Sequence, residues 1–166
     1  MKKKDIFLIV GAVLMLVIAF FVVGETNANP EVEVPLVLSD EEVGLIEMDY
    51  DTYASKLSKG ENFIVVIERT GCSFCEDYLP VLETVTNELG IPVYDIDIAE
   101  LSEDEYDLLS KSNSYLKREN WGTPTTLLMS GEVVVDSISG YVDEVEFTDF
   151  VEKNIILSQE EDADVE

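Results

Sequence analysis

The chain contains two cysteines, Cys72 and Cys75, which are separated by two residues and stand between segments of different pattern. Before them, Phe63 to Ile67 is a continuous apolar run rich in β-branched residues, which is typical of a strand buried on both faces. After them, apolar residues recur at helical spacing as far as Gly90, which predicts the end of a helix. The sequence therefore predicts a buried strand, a dithiol and the start of a helix at one turn.

A helix that begins at this pair would place Cys72 where unpaired backbone N–H groups and the positive end of the helix dipole favour an anion. The thiolate is the reactive form of cysteine, so the pKa of Cys72 is expected below the value of about 8.5 for a free cysteine. Cys75, one turn further, would capture the mixed disulfide that Cys72 forms with a substrate. Cys72 is thus predicted to attack and Cys75 to resolve, with no cofactor.

Three other interpretations of the cysteine pair stay open beside this redox hypothesis. A structural disulfide is one, although a bridge over two residues removes little entropy from the unfolded chain. A zinc site is another, but the chain has no histidine and no second cysteine pair, so only carboxylates or a dimer would complete it. The third is a remnant that keeps the fold without the chemistry. No metal is predicted.

The N-terminus carries a separate signal. Residues 1–5 include three lysines, and residues 6–23 form an uncharged run of 18 residues, about 27 Å long as a helix. This length favours an uncleaved transmembrane helix over a secretory signal, whose apolar region is shorter. Cleavage near Ala28 is the alternative. In both cases the lysines stay in the cytoplasm, and the rest of the chain is exported to the outer side of the cell membrane. Disulfides are permitted in that environment.

Charge excludes some partners. The chain has 36 acidic and 10 basic residues and a net charge of −26. Such a chain lacks the basic surface that nucleic acid binding requires, and anionic lipid surfaces would repel it. A solvated acidic surface is the favoured interpretation, and a cationic peptide client is the alternative.

The chain divides into an exported tether, a domain and a tail. Residues 24–42 are rich in proline, asparagine and acid, which is typical of a linker. Residues 158–166 are mostly acidic and are predicted to be a disordered tail. Residues 43–157 form the predicted domain.

The domain alternates strand and helix patterns. Ser102 and Glu105 form a capping box, Ser130-Gly131 signals a hairpin, and alternation of acids in one strand predicts a wetter face. The order βαβαβαββα predicts an α/β fold with a central mixed sheet and helices on both faces. The predicted elements are strands at 44–48, 63–67, 93–98, 125–129 and 133–138, and helices ending at Gly60 and Gly90, running from 103 to about 118, and starting near 143.

From roughly Leu45 to Ile156 the chain resembles the thioredoxin superfamily. The resemblance rests on the cysteine pair after a strand, Pro80 five residues after the second cysteine, Gly122-Thr123-Pro124-Thr125 opening a strand, and Gly140 after the hairpin. It implies a thioredoxin fold in which the Thr123–Pro124 bond is cis. The loop would face the cysteines, and Thr123 with Pro124 would position the substrate. The alternative is a trans proline that starts an edge strand.

The chain departs from the family pattern at three places. Gly71 replaces a tryptophan, Ser73-Phe74 replaces Gly-Pro, and Val66 stands where thioredoxins carry a buried acid. Glu68 would share the strand face of Val66 and would assist proton transfer from Cys75. A surface acid, or a partner of Arg69, is the alternative for Glu68. Both directions of electron flow stay open.

The short N-terminal anchor and the layout around the cysteines also resemble bacteriocin transport accessory proteins of Gram-positive bacteria. The favoured hypothesis is an extracytoplasmic, membrane-tethered thiol-disulfide oxidoreductase with protein or peptide substrates. A separate electron donor or acceptor is required, because two cysteines provide no internal relay. The alternative is a non-enzymatic accessory module that binds an exported peptide or a transporter. A cytochrome maturation factor is a less favoured third class.

Overall fold

The computed structural model describes residues 42–118 and 120–155. The predicted transmembrane helix at 6–23, the linker as far as residue 41 and the acidic tail at 158–166 lie outside the described residues. Within the described ranges, no helix has both the length and the apolar character needed to cross a membrane.

The described part follows the predicted order of strands and helices. Each strand lies within one or two residues of its predicted bounds. The elements are β1 (Gly44–Glu47), α1 (Tyr50–Lys59), β2 (Asn62–Glu68), α2 (Ser73–Leu89), β3 (Pro92–Asp97), α3 (Glu103–Ser110), β4 (Thr125–Ser130), β5 (Val133–Ser139) and α4 (Glu144–Asn154).

The five strands form one mixed sheet in the order β1-β3-β2-β4-β5. The pairs β1–β3 and β3–β2 are parallel, and the pairs β2–β4 and β4–β5 are antiparallel. β2 therefore occupies the centre, as its continuous apolar sequence predicts, since a central strand is covered on both faces. The prediction of a central mixed sheet is confirmed.

Side chains of alternate residues enter two separate cores, one on each face of the sheet. On one face, Ile64 and Val66 of β2 pack against α2 and α4. On the other, Phe63, Val65 and Ile67 pack against α1 and α3. Helices on both faces were predicted, and the two cores confirm this arrangement.

The helix ends follow the local sequence. Gly60 and Gly90 adopt left-handed backbone conformations, with φ of 70° and 66°, immediately after α1 and α2. The Ser102 side chain accepts a hydrogen bond from the N–H of Glu105, whose carboxylate accepts one from the N–H of Ser102. The predicted capping box at the start of α3 is confirmed.

The predicted end of α3 near residue 118 is wrong, because the helix ends at Ser110. The cause is Asn113, whose side-chain oxygen accepts hydrogen bonds from the N–H groups of Tyr115 and Leu116. Its Nδ2 donates to the hydroxyl of Tyr53 on α1, at 3.2 Å. These side-chain bonds replace the helical pattern with a turn that is fixed to a distant helix.

The hairpin between β4 and β5 is also shifted by one residue from its prediction. Its two connecting residues are Gly131 and Glu132 rather than Ser130 and Gly131. Gly131 has φ of 53°, and a Cβ added there would lie 3.1 Å from the Cα of Gly60. The hairpin turn therefore approaches the backbone after α1 closely, and glycine permits both the conformation and the contact.

Candidate active site

Cys72 lies at the N-cap position of α2, with φ of −92° and ψ of 112°. Its carbonyl accepts hydrogen bonds of 3.0 Å from the N–H groups of Cys75 and Glu76, which begins the helix. The sulfur is half-buried and lies at the end of the helix where the N–H groups lack helical partners. The predicted strand-to-helix turn is therefore present, and both cysteines are free thiols.

The loop before β4 faces this turn. The Cys72 Sγ donates to the carbonyl oxygen of Thr123 at 3.5 Å, and the Thr123–Pro124 bond is cis. The carbonyl of Pro124 accepts a hydrogen bond of 2.9 Å from the N–H of Gly140, which follows β5. The structure thus brings Thr123 and Pro124 to the cysteines and anchors their loop to the end of the hairpin.

A buried hydrogen bond connects the cysteine helix to the strand that carries this loop. The Tyr78 hydroxyl, one turn after Cys75, lies 3.1 Å from the Thr126 hydroxyl on β4, and both residues are fully buried. The Tyr78 ring also packs edge-on against Tyr141 and Phe147, at centroid distances of 5.9 and 6.2 Å. These contacts fix the spacing between the dithiol and the cis-proline loop.

The two thiols have opposite electrostatic environments. Burial opposes ionisation of Cys72, but hydrogen bonds from the Cys75 and Thr123 side chains and from the N–H groups of Cys75 and Phe74 outweigh it, so its pKa is lowered. Burial and the neighbouring Cys72 sulfur raise the pKa of Cys75 to about 11. Of the two thiols, Cys72 therefore ionises more readily than Cys75.

Glu68 ends β2 and is only 7% exposed, so its interpretation as a surface acid is wrong. Burial, the negative charges of Asp95 and Asp97, and a hydrogen bond with Asp97 raise the pKa of Glu68 to about 7. The backbone N–H of Arg69 acts in the opposite direction and lowers the pKa of both Glu68 and Cys75, by less than burial raises it. The Glu68 carboxyl group and the Cys75 thiol therefore both lie close to Arg69.

Two acids of β3, Asp95 and Asp97, belong to this site but were not among the predicted site residues. The alternation of acids along β3 signalled that they share one face, which was expected to be the wetter one. That prediction is confirmed, because Asp95 and Asp97 are less buried than Tyr94 and Ile96 on the other face. Parallel pairing aligns Asp97 with Glu68 and Asp95 with Val66, so both acids point toward the α2 side of the sheet. Only the strand register reveals this placement.

The two β3 acids differ in their protonation. Although burial opposes ionisation of Asp97, hydrogen bonds from the Thr70 hydroxyl and from the N–H groups of Ala99 and Thr70 lower its pKa. Burial and the charges of Asp97 and Glu47 raise the pKa of Asp95 to about 7. Asp97 is therefore an anion that fixes the turn before Cys72, whereas Asp95 titrates near neutral pH.

An exposed aromatic surface borders the dithiol. Phe74, between the two cysteines, is 64% exposed, and Tyr141, next to the residue that anchors the cis-proline loop, is 44% exposed. Large apolar side chains at these positions offer contact area to a bound polypeptide.

Comparison with solved structures finds thioredoxins. A thioredoxin from Aeropyrum pernix matches with a TM-score of 0.53 and 17% identity, over 69% of this chain and 94% of that chain. One from Nicotiana alata matches with a TM-score of 0.52 and 17% identity, over 70% and 96%. A mutant thioredoxin from Halobacterium salinarum matches with a TM-score of 0.51 and 23% identity, over 72% and 96%.

These similarities show that the described part of the chain has the thioredoxin fold. No family model and no curated protein matches the sequence. The fold and the site together define a thioredoxin-fold domain with a free cysteine pair at the N-terminus of its second helix.

The opposite shifts of the two thiols predict their reactivity. In the reduced protein, Cys72 should react with iodoacetamide faster than Cys75 between pH 6 and pH 8, with an apparent pKa below about 8.5. The Cys75→Ala substitution removes a hydrogen-bond donor to the Cys72 thiolate and should raise that apparent pKa. Cys75→Ser keeps an O–H donor and serves as the matched control. Labelling rates against pH, followed by mass spectrometry, measure both effects, and faster labelling of Cys75 would contradict the assignment.

Proposed function

We propose that the chain is a thiol-disulfide oxidoreductase in which Cys72 is the attacking thiol and Cys75 the resolving thiol. The observation that carries the proposal is the pair's asymmetry, because the pKa of the half-buried Cys72 is lowered and that of the buried Cys75 is raised. The Thr123 carbonyl in contact with Cys72 supports a substrate position along the cis-proline loop.

The reaction transfers two electrons. The Cys72 thiolate attacks one sulfur of a substrate disulfide, forms a mixed disulfide and releases the first substrate thiolate. Cys75 loses its proton and attacks Cys72, which releases the second substrate thiolate and leaves a Cys72–Cys75 disulfide. An external dithiol reduces this disulfide again. The reverse sequence oxidises a substrate dithiol and requires an external disulfide.

Substitution of the attacking thiol tests the proposal. With dithiothreitol as the electron source, the full-length protein should accelerate the reduction of insulin disulfides, and Cys72→Ser should abolish the acceleration because no mixed disulfide forms. Cys75→Ser should instead accumulate a mixed disulfide that is detectable by mass spectrometry. Equal rates for the wild type and Cys72→Ser, or no acceleration by either, would favour the non-enzymatic binding module.

We further propose that Glu68 accepts the proton of Cys75 during resolution. Its carboxyl group is buried, lies close to Arg69 as the Cys75 thiol does, and has a pKa raised to about 7 by burial and by Asp95 and Asp97. A base with a pKa near the working pH combines a useful ionised fraction with a strong attraction for the proton.

Stopped-flow reaction of the reduced protein with the disulfide 5,5′-dithiobis(2-nitrobenzoate) separates the two steps. The first thionitrobenzoate reports attack by Cys72, and the second reports resolution by Cys75. Glu68→Gln should slow the second phase by about 10²-fold and remove its inflection near pH 7, while leaving the first phase unchanged. The exposed Glu88, at the opposite end of α2 from the cysteines, provides the control variant Glu88→Gln. An unchanged second phase in Glu68→Gln would contradict the role of Glu68.

We also propose that the domain works outside the cytoplasm, tethered by residues 6–23, with an exported peptide or protein as its client. The proposal rests on the 18-residue uncharged run after the N-terminal lysines and on the resemblance of the layout to bacteriocin transport accessory proteins.

Fractionation of bacterial cells that express the full-length chain tests this location. The protein should sediment with membranes and be degraded by protease added to intact protoplasts. A variant that lacks residues 6–23 should remain protected in the cytosol. Release into the medium of a form that begins after Ala28 would favour cleavage, and a protected, soluble full-length protein would contradict export.

A further inference from the structure

Asp95 is a partly buried acid to which the proposed reaction gives no role. It lies on β3 beside Val66 of β2, at the position along the sheet where the family resemblance places a buried acid on β2 itself. Its Oδ1 atom is buried and has no hydrogen-bond partner. An unsatisfied carboxylate oxygen in such a place is costly unless a proton or a neighbouring group compensates it.

Acidic residues approach Asp95 from β1, β2, β3 and α2. Glu47 of β1 is its register partner, and Glu68 and Asp97 lie one step further along the same face of the sheet. From α2, Glu83 faces the same cleft, which has a volume of about 440 Å³. None of the described residues that line this cleft is basic; they are Val43, Gly44, Leu45, Glu47, Leu79, Glu83, Asn87 and Asp95.

The carboxyl groups on this face cannot all ionise, because like charges at short range favour protonation of some of them. Asp97 is kept ionised by its hydrogen bonds with Thr70 and Ala99. The shared protons therefore reside on Glu68 and Asp95, whose pKa values are both raised to about 7. Because the charge of Asp95 is one of the causes that raise the pKa of Glu68, we expect the two groups to titrate as a pair.

We propose that Asp95 is a positioning residue for the redox reaction, whose carboxyl group beside Glu68 sets how firmly Glu68 holds the proton taken from Cys75. The inference rests on the proposed transfer of that proton to Glu68. Glu68 and the Cys75 thiol both lie close to Arg69. Asp95, in contrast, acts only through Glu68.

The proposed role of Asp95 concerns the proton that leaves Cys75. When Cys75 attacks Cys72, the Cys75 S–H bond breaks and the proton passes to the Glu68 carboxylate, while a disulfide bond forms and the substrate thiolate leaves. A negative charge on Asp95 makes Glu68 a stronger base for this proton.

The pH dependence of the resolution phase with 5,5′-dithiobis(2-nitrobenzoate) tests the inference in the full-length protein. The wild-type rate of the second phase should rise with a midpoint near pH 7. Asp95→Asn, which keeps the size and removes the charge, should move this midpoint down by about 1 pH unit and lower the plateau rate. A role for Asp95 that is only structural would not shift the midpoint.

The matched control is Glu83→Gln, which removes a carboxylate from the same cleft but from a residue that does not influence Glu68. Its midpoint should equal that of the wild type. The inference is overturned if the midpoint of Asp95→Asn equals that of the wild type. It is also overturned if the midpoint of Glu83→Gln shifts as much as that of Asp95→Asn. In the unsubstituted protein, carboxyl ¹³C NMR should show coupled titration of Glu68 and Asp95, and independent single-step titrations would also overturn it.

The possible results distinguish a failure of this inference from a failure of the proposed oxidoreductase function. Loss of the first phase in the wild type would refute the oxidoreductase proposal, because Cys72 would not attack. A normal first phase with an unchanged second phase in Glu68→Gln would refute proton transfer to Glu68. The role of Asp95 alone would be refuted by a third combination of results. This combination is a normal first phase, a slow second phase in Glu68→Gln and an unchanged midpoint in Asp95→Asn.

Discussion

The pairing of β2 along both of its edges is the constraint on which the site depends. Ile64 to Ile67 are fully buried, so the strand can only lie in the centre of the sheet. Parallel pairing with β3 brings Asp97 beside Glu68, and antiparallel pairing with β4 brings Thr125 beside Ile67. The dithiol, the acids and the cis-proline loop therefore all lie near the end of β2, at one edge of the sheet.

The difference between the two thiols arises within one helical turn. A low cysteine pKa is often produced by a neighbouring histidine or lysine, but this chain has no histidine. Backbone N–H groups at the start of α2 and the second thiol stabilise the Cys72 thiolate instead. The same turn directs Cys75 into the protein, where it is 1% exposed, and burial disfavours its ionisation. The start of α2, the second thiol and Thr123 together therefore give opposite pKa shifts to two identical side chains.

Local signals in the sequence were sufficient for most of the fold. The turn at Cys72, the capping box at Ser102 and the glycine after each of the first two helices depend on neighbouring residues, and these predictions are confirmed. The end of α3 depends on a contact between Asn113 and Tyr53, which are 60 residues apart. No local pattern contains that contact, so the predicted helix was too long.

Prediction of the candidate site was limited in the same way, because local patterns identified some of its residues but not others. Cys72 and the loop at Thr123 could be found from spacing and resemblance, and Glu68 from its strand face. Asp95 and Asp97 could not, because an alternating strand shows which residues share a face but not which neighbour that face meets. The register of β3 against β2 supplies this information. The role of the N-terminal segment stays a prediction, since it lies outside the described residues.

Four acids in the described part of the chain illustrate two opposite effects of folding on a carboxyl pKa. Asp49 and Glu105 cap helices and have lowered pKa values because they accept hydrogen bonds from Thr52 and Ser102, so they stabilise the fold when ionised. Glu68 and Asp95 have raised pKa values. The folded state therefore binds more protons than the unfolded state between about pH 4 and pH 7, and their contribution to stability falls as the pH rises through that window. These two groups with raised pKa values lie on the side of the sheet that faces the cysteine helix, and perturbed pKa values of this kind are more common at functional sites than elsewhere.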